Sequence, residues 1–309
     1  MYPKLGFHVS ISGGISNSID NALKIGCSTF QIFSRNPRGW VARPLQDEDV
    51  ENFRKKLSKS KIDRDSVFIH MPYLPNLSSS DSKLHKKSTD TLVDELSRSS
   101  ILGIHYLILH LGSHGGKGKA NGINQLMKAC NFAFDNYYKL SSSAVTEKKK
   151  SDKNGNCAKD PVTIILENSA GEKNSLASKF DELALILDKL KSSMNRGSFG
   201  ICLDTCHVFA AGYDLRTDDV IDDTLDKFNS EVGLKNLKVI HLNDSKDELD
   251  SNRDRHEHIG MGKIGKKGLR ALLNHKAASK LPIIMETPID GRRKDADNMK
   301  VVLNMLDKE

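Results

Sequence analysis

The stretch Cys202-Leu-Asp-Thr-Cys-His-Val-Phe-Ala-Ala-Gly-Tyr-Asp214 continues a short apolar run, residues 199–203, that stops on two potential metal ligands, Asp204 and His207. A strand alternates its side chains and a tight turn reorients the chain. An Asp at a strand end and a His three residues later therefore need not face the same atom, and one such pair can serve two neighbouring metals. Taken alone, the pair reads equally well as a turn-capping Asp and an ordinary loop histidine. The pattern around it decides.

Eight short β-like bursts recur, at residues 5–10, 29–34, 66–71, 106–111, 162–168, 199–205, 237–244 and 282–287. Most begin 24 to 45 residues after the one before, a spacing that suits repeated βα units with right-handed parallel crossovers. Amphipathic helical patterns fill the gaps, for example at 83–102, 121–140 and 176–190, with shorter ones at 219–228 and 265–273. Eight such units predict an α/β fold, a closed (β/α)8 TIM barrel with residues 1–309 as one domain. One segment departs from the pattern. Residues 141–159 are rich in Ser and Lys, contain an Asn-Gly-Asn turn and lack an apolar face, and they read as a flexible surface insertion before the fifth strand.

With 38% hydrophobic residues over 309 positions, the chain has enough apolar material for a large core. Five cysteines with no Cys-x-x-Cys pair argue against a disulfide framework and a thiolate zinc knuckle. Cys202 and Cys206 read as small apolar residues beside the site. No apolar run reaches membrane-spanning length, and the first residues lack the long apolar segment of a signal peptide. The expectation is a soluble intracellular monomer, cytoplasmic in a prokaryote and nuclear or mitochondrial in a eukaryote. A net charge of +7 and a pI near 9.0 favour a polyanionic partner.

In a barrel of this kind the chemistry lies at the carboxyl ends of the strands, so the polar residues that terminate the bursts are the informative ones. They are His8, His70, His110, Glu167, Asp204 with His207, His241 and Glu286, with Asp254 and His256 in the loop after the seventh strand. A lone strand-end histidine is more often a satisfied core residue, but independent accidents do not gather so many imidazoles and carboxylates on one face. Five histidines (70, 110, 207, 241, 256) and four carboxylates (167, 204, 254, 286) are too many for one tetrahedral zinc and suffice for several. Neutral imidazole with carboxylate suits Zn2+ and also Mn2+ or Fe2+. Three divalent ions against four acids would leave a charge of about +2, which attracts a phosphodiester.

The chain resembles the endonuclease IV family of zinc-dependent apurinic/apyrimidinic endonucleases, among the xylose-isomerase-like TIM barrels. The resemblance covers nearly the whole chain. It rests on Gly6-Phe-His-Val-Ser10 with Gly13-Gly14, Phe33-Ser-Arg-Asn-Pro-Arg-Gly-Trp40, His70-Met-Pro-Tyr-Leu-Pro-Asn-Leu77, His110-Leu-Gly-Ser-His114 and Leu166-Glu-Asn-Ser-Ala-Gly171. The stretch quoted at the outset, His241-Leu-Asn-Asp-Ser-Lys246, Asp254-Arg-His-Glu-His-Ile-Gly-Met-Gly-Lys-Ile-Gly265 and Met285-Glu-Thr287 complete it. The resemblance implies three zinc ions per chain: one on His70, His110 and Glu167, a second on Glu167, Asp204, His241 and Glu286, and a third on His207, Asp254 and His256. Glu167 would bridge two ions. It further implies incision of duplex DNA 5′ to an abasic site by in-line attack of hydroxide, giving a 3′-hydroxyl and a 5′-deoxyribose phosphate. Removal of blocked 3′ ends is implied beside it.

By the same resemblance, Arg38, Trp40, Tyr73 and Leu74 would contact DNA at the lesion. Read without it, Trp40 anchors a loop and Tyr73 packs between prolines. His8, His114, His258 and Lys246 would support the ligands or touch phosphate, and Gly260, Gly262 and Gly265 would let a loop backbone approach metal or DNA. A sugar isomerase of the same fold is the rival reading. It would need one or two ions and would not need the Arg38, Trp40 and Tyr73 loops. A barrel that binds DNA without cutting it is disfavoured by the complete ligand set.

Overall fold

The first strand, β1 (Lys4–His8), pairs with the last, and that pairing closes the sheet. In this computed structural model, which describes residues 3–148, 162–193 and 197–307 with side chains of the fourth helix as far as Lys139, all eight bursts are strands. They are β1, β2 (Thr29–Phe33), β3 (Val67–His70), β4 (Tyr106–His110), β5 (Thr163–Glu167), β6 (Ser198–Asp204), β7 (Leu237–His241) and, after a small hairpin, β10 (Pro282–Met285). The order around the closed barrel is β1-β10-β7-β6-β5-β4-β3-β2, and each neighbouring pair is parallel.

The pleat sorts the strand residues into two apolar layers. Phe68, Ile108, Ile165, Cys202, Val239 and Ile284, one from each of six strands, form a dry cluster of their own inside the barrel. The alternate residues, such as Leu107 and Leu109 or Ile164 and Leu166, belong to the larger core that the helices share. Those helices are α1 (Asn17–Ile25), α2 (Asp47–Lys59), α3 (Ser82–Leu102), α4 (Lys119–Lys148), α5 (Phe180–Ser193), α6 (Thr205–Ala210), α7 (Asp218–Glu231), α8 (Gly265–Asn274) and α9 (Asp295–Leu303). Their ends follow local chemistry. The Asp81 side chain accepts from the Leu84 amide at the start of α3, and Gly103 closes it in the left-handed conformation.

Two expectations shift. α4 runs on to Lys148, so the 141–159 segment begins as helix, and its remainder lies outside the described residues. The seventh strand stops at His241, not at residue 244. Asp244 belongs instead to β8 (Asp244–Ser245), which pairs antiparallel with β9 (His256–Glu257). In the loop that carries Gly260, Gly262 and Gly265, the Gly262, Ile264 and Gly265 amides converge on the Asp244 carboxylate at 2.9, 3.1 and 3.2 Å. A carboxylate out of water needs such donors, and the loop wraps to supply them.

Closure of the barrel depends on Gly6, where an added Cβ would fall 1.7 Å from the Thr29 carbonyl oxygen on the neighbouring strand. Gly26, at φ +89°, has open space around it. Gly6→Ala should therefore cost roughly 3 kcal/mol or more through overpacking, and Gly26→Ala only about 1 kcal/mol of backbone strain. Urea unfolding of the two variants measures the difference, and equal midpoints would show that β1 and β2 can separate without cost.

Candidate metal centre

Each member of the dry cluster lies two residues before a polar strand-end residue: Phe68 before His70, Ile108 before His110, Ile165 before Glu167, Cys202 before Asp204, Val239 before His241 and Ile284 before Glu286. Since side chains repeat every second residue along a strand, the layer directly above the apolar plug is made of these six. Asp204 ends β6 and also caps α6, its carboxylate accepting the His207 amide at 2.8 Å, and this turn swings His207 over the same face. The β8–β9 hairpin returns Asp254 and His256 to the mouth from outside the barrel wall. The structure thereby gathers the candidate ligands into three groups whose ligand atoms lie within 4.8 Å of one another: His70, His110 and Glu167; Glu167, Asp204, His241 and Glu286; and His207, Asp254 and His256.

The imidazole protons show what the groups are suited to hold. His70 Nδ1–H donates to the Met71 carbonyl at 2.7 Å, His207 Nδ1–H to the Asn168 carbonyl at 2.9 Å and His256 Nδ1–H to the Glu286 carbonyl at 3.1 Å. His241 Nε2–H donates to Gln31 Oε1 at 2.9 Å. In the neutral rings the other nitrogen is then a bare lone pair, and each points at carboxylate oxygen. His70 Nε2 lies 3.0 Å and His241 Nδ1 2.9 Å from Glu167, and His207 Nε2 and His256 Nε2 each lie 3.1 Å from Asp254 Oδ1. The last two nitrogens are buried without a hydrogen-bond partner. Lone pair against lone pair at this range is repulsive unless a cation stands between, so the donor set fits divalent metal ions with a neutral imidazole and carboxylate shell.

The electrostatics agree. Burial opposes a charge on His70 and His207, yet the facing carboxylates override it and hold both above the usual imidazole range. Burial likewise opposes a charge on His256, which Asp204 and Asp254 raise to about 9. Burial would raise the acids, but the surrounding imidazoles draw Glu167, Glu286 and Asp254 well below the carboxylate range. Cys202 and Cys206 also come within ligand distance of these groups. Burial pushes the Cys202 thiol up to about 12 and that of Cys206 higher still, which keeps them protonated and weak as ligands.

Three orienting residues escape the reading of strand ends. Gln31, fully buried in β2, donates from Nε2 to His8 Nδ1 and to Glu286 Oε1, both at 2.8 Å, while its oxygen accepts from His241. Asn243 donates to Asp204 Oδ2 at 2.6 Å and accepts the Glu286 amide at 2.8 Å. Asn168 accepts the Asp204 amide at 2.8 Å. Their signal in the sequence is slight: an amide inside an apolar run, and two asparagines just after ligands. His8 does support the ligands, through Gln31. His114 and His258 do not touch them. His114 Nδ1 caps its own turn, accepting from Gly118, and buried His258 joins Asp290 and Asn298, tying the residue after β9 to the loop after β10 and to α9.

A cleft of about 900 Å3 opens over the cluster, lined by His70, His110, His207, Asp254, His256 and Tyr73 among others. Tyr73 is 61% exposed and its ring packs edge-on against Phe33 at 5.0 Å. Arg38 and Leu74 are exposed and Trp40 is half-buried, all three on loops that flank the cleft without forming its wall.

Two outcomes follow from this geometry. Without metal, His256 carries its proton up to about pH 9, against about 6.5 when unfolded. Its contribution to stability is complete below the unfolded value and is lost as pH rises toward 9. Chelated protein should therefore melt at lower temperature at about pH 9 than at about pH 6.5, and metal-loaded protein should lack that loss; parallel melting curves for the two would exclude an ion at this group. Gln31→Leu should weaken metal retention by about 10- to 100-fold, since residues that orient ligands contribute on that scale. Metal content after dialysis against a graded chelator reads it directly.

The family model described as xylose isomerase-like TIM barrel matches residues 19–309. A protein named probable endonuclease 4 from Nitrosopumilus maritimus is 48% identical, over 96% of this chain and 98% of its own length. One of the same name from Cenarchaeum symbiosum is 47% identical, over 96% of this chain and 97% of its own. The crystal structure of endonuclease IV from Thermus thermophilus superposes with a TM-score of 0.78 at 31% identity, covering 98% of both chains. The fold, the converging donors and these relatives together place the chain in the endonuclease IV family of hydrolases, within the xylose isomerase-like TIM barrels.

Proposed function

We propose that the protein is a DNA-repair endonuclease that hydrolyses the phosphodiester 5′ to an abasic site in duplex DNA, leaving a 3′-hydroxyl and a 5′-deoxyribose phosphate, and that it also clears blocked 3′ ends. The observation that carries this reading is the confrontation of imidazole and carboxylate lone pairs across three adjoining groups under one cleft. His70, His110 and Glu167 would hold one zinc, Glu167, Asp204, His241 and Glu286 a second, and His207, Asp254 and His256 a third, with Mn2+ or Fe2+ able to replace zinc in part. When bound, such ions supply Lewis-acid charge for a phosphodiester and a water nucleophile at neutral pH.

The chain's own residues do the remaining work. Glu167 presents one oxygen to His70 and the other to His241, so its carboxylate joins two of the groups. Gln31, Asn168 and Asn243 fix the rings and carboxylates in register. The loops after β2 and β3 set Arg38, Trp40, Tyr73 and Leu74 beside the cleft, where an exposed aromatic, an aliphatic and a guanidinium suit insertion at a lesion and stacking on its neighbours. The excess of positive charge favours the phosphate backbone. Among the described residues no helix is long and apolar enough to cross a membrane, and we place the protein inside the cell, acting as a single copy. The ligand count exceeds what a sugar isomerase of the same fold requires.

Metal-loaded protein should nick a duplex holding one abasic site once, on its 5′ side, with a product that a polymerase extends. Glu167→Gln should lower turnover by roughly 100- to 1,000-fold, the scale of losing a principal electrostatic element, while affinity for the abasic duplex falls far less. An intact duplex, with an aldose converted to a ketose by the same preparation, would instead establish the isomerase.

A further inference from the structure

Within the connection from β2 to α2, residues 34–43 form a loop that carries Arg38 and Trp40, and buried side chains of α3 fasten both ends of this loop. Arg98 donates to Ser34 Oγ at 2.7 Å, to the Ser34 carbonyl oxygen and, across the loop, to the Arg43 carbonyl oxygen at 3.0 Å. Glu95, fully buried, accepts from Ser34 Oγ at 2.7 Å and from Arg35 Nε at 2.5 Å, and Arg35 also meets Asp94. Further along the same helix, Lys87 Nζ stands 5.0 Å from the centre of the Trp40 ring. The loop in turn steadies its neighbour, because the Pro37 carbonyl accepts the Tyr73 amide at 3.3 Å.

Two guanidiniums and two carboxylates are a costly way to fill this space, since well-packed apolar residues of similar volume are commonly as stable or more so. Direction is what the ionic group adds. A guanidinium is a flat fork of fixed geometry that reaches several acceptors together, which neither an apolar side chain nor an ammonium does. Here the fork of Arg98 spans the two ends of one loop, and Glu95 holds the serine and arginine at its start.

We propose that Arg98 and Glu95 are positioning residues for lesion recognition, holding loop 34–43 in the path that presents Arg38 and Trp40 to duplex DNA beside the metal-ligand cluster. The proposal rests on the DNA-incision reading above and deepens it. None of the bonds of this tether reaches a candidate metal ligand, so the tether acts on substrate binding and leaves the metal groups as they are.

Trp40 is the single tryptophan of the chain, so its fluorescence reports the loop without a label. Arg98→Lys keeps a positive charge facing Glu95 but removes the fork. In metal-loaded protein it should raise KM for an abasic duplex about tenfold and change kcat by less than about twofold, the pattern of lost binding common to ground and transition states. Metal content should stay at the wild-type level, and acrylamide should quench Trp40 more strongly. Should Arg98→Lys fail to fold, Ser34→Ala, which removes the hydroxyl between Arg98 and Glu95 and keeps all the charges, should move the same quantities in the same directions. A fall in kcat with KM unmoved, a loss of metal, or a rise in KM with Trp40 quenching unchanged would overturn the proposal alone. Wild-type protein that incises no abasic duplex would overturn the DNA reading, and this proposal with it.

Discussion

Glu167 is the group on which the rest of the site depends. Its two oxygens face imidazole nitrogens from β3 and β7 at 3.0 and 2.9 Å, inside a barrel where it is almost wholly shielded from water. A buried carboxylate requires compensation, and here the compensation must be cationic, because the protons of both rings are already given away, to the Met71 carbonyl and to Gln31. The amide oxygen of Gln31 and the carbonyl of Met71 thus decide from a distance which face of each ring meets Glu167. The arrangement tolerates a proton or a metal ion at its centre and resists being left with neither.

The barrel makes this arrangement repeatable across strands. A parallel strand entering from the base places an apolar residue in the interior layer and, two positions on, a polar one at the rim. Six strands obey that rule with His, Glu or Asp at the second position. The same pleat that buries the plug therefore aims the ligands, and stability and chemistry are set by adjacent residues of the same strands. The plug fills the barrel beneath the site, and the cleft opens at the mouth above it.

How much of this was legible in the sequence follows from how each residue announces itself. His70, His110, Glu167, Asp204 and His241 end hydrophobic runs, and a charge or imidazole there has no ordinary reason to exist, so the strand positions and most of the ligands could be read together. Gln31 could not be read, because an amide flanked by Phe30 and Ile32 in a five-residue strand looks like an imperfection in the apolar pattern until its three partners are seen. The hairpin was hidden for another reason: two paired residues on each side are too few to show alternation, and buried Leu242 made the seventh run seem to continue. α2 was not singled out because its apolar stripe is only Val50, Phe53 and Leu57 among charged neighbours. The family membership was legible from the long motifs, whereas the tether of Arg98 and Glu95 is a relation between distant segments that no single motif displays.

The β8–β9 hairpin differs from the strands in what it risks when it moves. Its pairing covers two residues on each side, so its place over the rim rests on bonds to the frame, from Arg292 to Glu257 and from His256 to the Glu286 carbonyl. Asp254 and His256 ride on it, while His207 stays on the frame. An ion held between them, as proposed above, would bind only the closed hairpin and by mass action would favour that closed form. The third group would then also act as a latch, whose hold on the rim of the cleft would tighten or slacken with the free concentration of the metal.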